Sequence, residues 1–183
     1  MQKLFILVCM LTGLLACQPA QTDQASAHSP DAAAGLTGQS GVQDDISDPT
    51  VVQVAAGSQD HTTLVTAVKA AQLVDVLSNT GPFTVFAPTN TAFDKLPAGT
   101  VDNLLKPEQK DALADILEYH VYVGVIKTNL MRDGQILNQV NGKNITISVQ
   151  DGIYKVNGTA TIVASVPASN GIIHVIDEVL LPK

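Results

Sequence analysis

The sequence predicts an α+β domain, and three observations carry that reading. Apolar residues recur at helical spacing only in the first part of the domain. β-Branched runs separated by turn dipeptides fill the remainder. The two kinds of segment follow one another rather than alternating as βαβ units would.

Taken in order, Asp48-Pro49 reads as a helix start, with Asp48 as N-cap and Pro49 at the first helical position. The short helix covers Thr50 to Ala56 and stops near Gly57. Asp60 is a second candidate N-cap. Behind it Leu64, Val68, Ala71, Val74 and Leu77 recur at intervals that predict one helix of about four turns, ending by Asn79. Gly81-Pro82 breaks that pattern, and Phe83 to Ala87 is a short β-rich run stopped by Pro88. Small helices are predicted around Thr91 to Leu96 and Thr100 to Leu105. Pro107 opens a better one, with Leu113, Ile116 and Leu117 on one face.

The strands follow. Tyr119 to Ile126 is aromatic and β-branched; Ile136 to Val140, Asn144 to Val149 and Ile153 to Val156 succeed it at hairpin spacing. Asn141-Gly142 and Asp151-Gly152 separate them, dipeptides that favour the positive φ of tight hairpin turns. Thr159 to Val166 and Ile172 to Leu181 complete the set, and no internal repeat is present.

The chain has 183 residues, 45% of them apolar and 15% charged, enough apolar matter for one domain with a core. Ten Lys and Arg against 17 Asp and Glu give a net charge of -7, which argues against nucleic acid, because phosphate binding needs clustered cations. Trp is absent and aromatics are 4%, which argues against base-stacking platforms. Both cysteines, Cys9 and Cys17, lie at the N-terminus, so the domain has neither a disulfide framework nor a Cys-rich zinc site.

Residues 1–16 read as a signal peptide. Lys3 supplies the positive n-region, and Leu4 to Ala16 is an apolar run. As a helix that run reaches roughly 20 Å, short of the ~30 Å hydrocarbon core. It ends in Leu14-Leu15-Ala16-Cys17, which resembles the bacterial lipobox. That resemblance implies diacylglycerol on the Cys17 thiol, cleavage before it, and a membrane contact through the lipid; the alternative is an ordinary secretory peptide that contains a cysteine. Gln18 after the cysteine favours the outer membrane under enterobacterial sorting. Residues 17–47 then form the lipidated Cys and a tether rich in Ala, Gln, Ser, Gly and Asp, without Lys, Arg or aromatics. It is predicted to be disordered, with an end-to-end distance of roughly 30 Å. Residues 48–183 are the domain.

Three segments of that domain resemble one family. Phe83-Thr84-Val85-Phe86-Ala87-Pro88-Thr89-Asn90-Thr91-Ala92-Phe93, then Tyr119-His120, then Asn170-Gly171-Ile172-Ile173-His174-Val175-Ile176-Asp177-Glu178-Val179-Leu180-Leu181-Pro182 are similar, in order and spacing, to the conserved blocks of fasciclin-type (FAS1) domains. The resemblance implies a small β-sandwich or wedge with N-terminal helices packed on one side. It also implies roles in extracellular adhesion and in matrix or cell-surface interaction. Independently of the name, Phe83, Val85 and Val175 read as core positions of central strands. Thr89 or Asn90 can cap the helix carrying Phe93.

Tyr119, His120 and His174 are the interaction candidates. The resemblance places Tyr119 and His120 in a segment implicated in integrin adhesion in animal members. The residue-level reading is an imidazole hydrogen-bonded to backbone, because a polar side chain in a buried strand needs a partner. On a strand, His174 and Glu178 would share a face with Asp177 opposite; two such groups fall short of the about three or four ligands zinc takes, so no metal site is expected. Ser148, Ser165 and Ser169 lie in no activating motif, and neither a Gly-x-Ser-x-Gly elbow nor a Gly-rich phosphate loop is present. Asn144-Ile145-Thr146 and Asn157-Gly158-Thr159 fit the N-glycosylation pattern, but in a bacterial chain they are strand and turn residues. The Asp-Ile adhesion element of some animal members is replaced by Ser165-Val166-Pro167-Ala168.

The function expected is a lipid-anchored, non-enzymatic binding module of the bacterial cell envelope, without cofactor, that meets a protein or polysaccharide on a cell surface or matrix. The alternative is a periplasmic carrier of a small molecule or pigment. A deep apolar cavity would favour the carrier, and a flat exposed patch adhesion.

Overall fold

The structure, a computed structural model, describes residues 48–182. The predicted signal peptide, Cys17 and the predicted tether lie outside the described residues.

Six α-helices and seven strands follow in the order α1 (Val51–Ala56), α2 (Thr62–Ala70), α3 (Val74–Ser78), β1 (Phe83–Pro88), α4 (Asn90–Asp94), α5 (Thr100–Leu104) and α6 (Lys110–Glu118). Then come β2 (Val121–Val123), β3 (Gln135–Asn138), β4 (Asn144–Gln150), β5 (Ile153–Val156), β6 (Ala160–Ala168) and β7 (Gly171–Ile176). The composition is α+β, as the sequence predicts.

The strands form one mixed sheet in the order β2-β1-β7-β6-β5-β4-β3. Every neighbouring pair is antiparallel except β1 and β7, which run parallel with Phe83 beside Gly171 and Phe86 beside His174. β6 joins the halves: Ala160 and Thr161 pair with β5, whereas Ile162 to Ala168 pair with β7 across a bulge between Ile162 and Ala164. A bulge bends and twists its strand, so β6 passes from one layer to the other. The result is the wedge-like sandwich expected.

Side-chain alternation along β1 and β7 then defines two cores. On one face Phe83, Val85, Ala87, Ile173 and Val175 pack with Val51, Leu64, Val68, Leu77, Leu113 and Leu117 of the helices. On the other, Phe86 and Ile176 pack with Ile145, Ile147, Val156, Leu137 and Tyr119. Helices therefore cover one side of the central strands and the β3–β5 meander covers the other.

Several boundaries differ from the sequence reading for local reasons. Thr50, not Asp48, caps α1: its hydroxyl accepts the Gln53 N–H while Gln53 Oε1 accepts the Thr50 N–H, a reciprocal capping box. Ser58 rather than Asp60 starts the next segment, accepting the Asp60 N–H at the head of a 3₁₀ turn over Gln59–His61. The single long helix is two. α2 stops where Gln72 takes φ 60° and the Leu73 N–H returns to the Val68 carbonyl, a Schellman-type closure without glycine. Val68 and Leu77 still reach the same core, which is why the apolar spacing runs on across the break.

The first predicted strand of the second half also shrinks. Tyr119 N–H donates to Asp115 O and His120 N–H to Leu117 O, so helical bonding continues to His120 and β2 begins at Val121. β7 ends at Ile176, which removes the strand geometry assumed for Asp177 and Glu178.

Candidate functional site

His120 closes α6. Its Nδ1 lies 2.7 Å from the Ile116 carbonyl, and its Nε2 accepts the Leu180 N–H at 3.0 Å. A carbonyl can only accept, so Nδ1 carries the proton and the imidazole is neutral. Burial pushes its pKa down to about 4, against a smaller upward pull from the Ile116 bond.

His174 is built the same way on β7. Nε2 donates to the Ile126 carbonyl at 2.7 Å, and Nδ1 accepts from the Ser165 hydroxyl at 2.7 Å. Beside it on the same face, the Thr84 hydroxyl donates to Gly124 O at 2.7 Å and accepts the Ile126 N–H at 3.0 Å. Two polar side chains on adjacent central strands thus pin the Gly124–Ile126 segment across the sheet, satisfying backbone groups that a strand ending at Val123 leaves unpaired.

Ser165, which lies in no activating motif, nonetheless meets a histidine, His174. The contact arises from the strand register, which sets Ser165 opposite His174, and no sequence motif announces it. Its chemistry is weak as a nucleophile–base pair. A general base must accept a proton, whereas burial lowers the His174 pKa more than its Ile126 bond raises it. The group holding the far nitrogen is a neutral carbonyl, not the carboxylate that would stabilise an imidazolium.

Nor do these histidines assemble a metal centre. Asp177 Oδ1 accepts the Thr161 N–H at 2.6 Å, and among the described residues no group of three or more His, Cys, Asp or Glu is placed to hold an ion. His120 and His174 are 3% and 0% exposed, so neither presents a surface to a partner.

Tyr119, also largely buried, does reach a surface feature. Its hydroxyl donates to Asn144 O at 3.0 Å and accepts from Asn157 Nδ2 at 3.1 Å. It forms the floor of an open groove of about 620 Å³ whose other lining residues are Gly142, Lys143, Asn144, Thr146, Ser148, Asn157 and Gly158. The walls are two tight turns, Asn141-Gly142 between β3 and β4 and Asn157-Gly158 between β5 and β6. Asn157 at φ 54° and Gly158 at φ 73° make the second turn, and Asn157 Oδ1 ties it to the Thr146 N–H. Of the three interaction candidates only Tyr119 lies here, and the sequence reading gave the surrounding residues no site role. The signals available were the alternation of Asn144, Thr146 and Ser148 with buried Ile145 and Ile147, and two Asn-Gly dipeptides.

Two further concavities among the described residues are small and apolar. One between α1, α2, α3 and the central strands measures about 70 Å³ and has Lys69 as its one charged lining residue. A second, under α5 and α6, measures about 30 Å³. No helix among the described residues is long and apolar enough to cross a membrane.

A mixed sheet bent over one helical layer, its seams pinned by neutral histidines and its outer face bearing an open polar groove, defines a small α+β scaffold domain. The fasciclin-domain family model matches residues 59–182, and the chain belongs to the fasciclin family. It is 56% identical to protein sll1483 of Synechocystis, over 73% of each chain. It is 36% identical to the cell surface glycolipoprotein MPB83 of Mycobacterium bovis, over 82% of this chain and 68% of that one. In fold it resembles the FAS1 domain pair of the insect cell adhesion molecule Fasciclin I, with a TM-score of 0.66 at 22% identity. That likeness covers 73% of this chain and 51% of the pair.

Proposed function

We propose that this protein is a cell-envelope-anchored, non-enzymatic binding module that attaches its cell surface to a protein or polysaccharide. The observation that carries the reading is the contrast between concavities. The open polar groove, at about 620 Å³, is of the size at which ligands are recognised, whereas the larger apolar cavity is about 70 Å³. For comparison, an engineered apolar cavity of about 150 Å³ encloses one benzene. A pigment or lipid carrier would have to open its core; a surface binder uses the face it has.

Anchoring is proposed through lipid on Cys17, supported by the lipobox-like Leu14-Leu15-Ala16-Cys17 and by a relative named as a cell surface glycolipoprotein. The test is a pull-down of the purified protein with its own cell-envelope fraction, beside a titration with a fluorescent apolar dye. Saturable envelope capture without dye uptake is expected. Stoichiometric dye uptake without envelope capture would establish the carrier instead.

A further inference from the structure

We infer that the groove floored by Tyr119 is a binding site for a neutral polysaccharide; the inference rests on the surface-binding reading above and names its ligand class. The argument begins with what the groove offers. Thr146 and Ser148 stand on the outward face of β4, and among the described residues no protein group takes up either hydroxyl. Asn144 Oδ1 is occupied by Asn138 Nδ2, which fixes the amide and leaves its own nitrogen as a donor facing out. Asn157 is locked by bonds to Thr146 and Tyr119.

The result is a row of oriented hydroxyl and amide groups that can both donate and accept. Sugar hydroxyls have the same dual character, and a polyhydroxylated chain can match such a row at successive positions. Gly142 and Gly158 widen the fit, since nothing stands within 4 Å of where a Cβ would be on either, leaving backbone open to close approach.

Charge then chooses among ligands. Lys143 is the one cation in the groove, and it faces Asp115 at 3.9 Å. The whole chain carries -7, so an anionic polymer is repelled at long range. Protein partners are typically gripped by aromatic or Arg anchors in desolvated pockets. The aromatic ring present is 4% exposed, and the lining contains no Trp, Arg or aliphatic side chain. Neutral glycan is the class that remains.

The experiment uses the full-length protein and the cell-envelope fraction of its source organism in three forms: untreated, digested with proteinase, and oxidised with periodate, which cleaves vicinal diols. Capture should survive proteinase and be lost after periodate. Thr146→Arg and Ser148→Arg, both at outward strand positions, should each weaken capture at least tenfold at unchanged melting temperature. Leu130→Arg, on an exposed residue outside the groove, should leave it intact. Capture abolished by proteinase and resistant to periodate would overturn the glycan assignment. So would groove variants that bind like the wild type, while in both cases the surface-binding reading stands. Absence of capture by the untreated fraction would instead overturn that reading.

Discussion

The imidazole of His120 accepts the backbone N–H of Leu180, sixty positions along the chain, while its other nitrogen donates to Ile116 one turn back in α6. One neutral ring thereby couples the C-terminal segment to the end of a helix, and its neutrality has a pH consequence. In the unfolded chain the ring takes a proton near pH 6.5, but in the fold only near pH 4. The unfolded state therefore binds more protons between those values, and stability present above pH 6.5 drains away as pH falls toward 4. The gap corresponds to about 3 kcal/mol. His61 and His174 are lowered in the same direction by burial and add to the loss. Urea unfolding at pH 7, 5.5 and 4 should show this decline, and His120→Asn should flatten it while starting from lower stability.

Removing the other pinned ring should be costly in a way no metal explains. His174→Ala leaves the Ile126 carbonyl without its donor in a site that is 0% exposed, and opens a cavity beside Phe86, whose ring centroid is 5.6 Å away. A loss of about 2–4 kcal/mol is expected. Ser165→Ala removes one bond to the same ring at an exposed residue and should cost ~1 kcal/mol or less. Chelator should alter none of these melting temperatures. A drop with chelator in the wild type alone would mean that the ring holds a metal.

Asn170 should behave as a clamp. Its Oδ1 accepts the Val51 N–H at 2.9 Å, and its Nδ2 donates to Leu77 O and Asn79 O, both at 2.8 Å. One amide thus ties α1 and the end of α3 to the turn before β7. Asn170→Ala strips three buried or half-buried backbone groups of partners and should cost ~3 kcal/mol or more. Hydrogen exchange in Val51–Ala56 should accelerate more than in β4. Uniform protection in the variant would show that α1 is held by its apolar contacts alone.

The neighbouring Gly171 allows the central pairing of the sheet. A Cβ there would overlap the Phe83 carbonyl of β1. Gly171→Ala has to push apart the parallel β1–β7 pair, and a loss at or above the ~1–3 kcal/mol typical of overpacking is expected in thermal unfolding. A wild-type melting curve would mean that the strands separate without strain.

If Cys17 carries the proposed lipid, Cys17→Ser should move the protein from the detergent phase to the aqueous phase in Triton partitioning, because the substitution removes the thiol to be acylated. Retention in the detergent phase with unchanged processing would exclude lipid at Cys17.

The sequence made some parts of this fold readable and hid others, for identifiable reasons. Thr89, Asn141-Gly142 and Asp151-Gly152 were legible because caps and hairpin turns depend on local φ and short-range bonds. Tyr119 and His120 were placed on a strand since aromatic and β-branched neighbours mask a helix end. Helical backbone bonds to Asp115 and Leu117, and the ring's bonds to Ile116 and Leu180, hold helical geometry there instead. The division of α2 from α3 was hidden by Gln72, a non-glycine residue at positive φ. Tyr119 was legible as a candidate, but the groove around it was not, because two turns distant in sequence contribute residues that read separately as ordinary surface.

The parallel pairing of β1 with β7 has a temporal consequence. β1 lies between β2 and β7, so a chain delivered N-terminus first, from a ribosome or through a membrane pore, offers β1 no parallel neighbour until Gly171–Ile176 has emerged. Both cores draw on β7, through Ile173 and Ile176 respectively, so neither is complete without it. Pairing across that sequence separation is slow to form. Completion of both cores therefore waits on one late pairing, and the helices and the β3–β5 meander have their shared centre only once β7 is available.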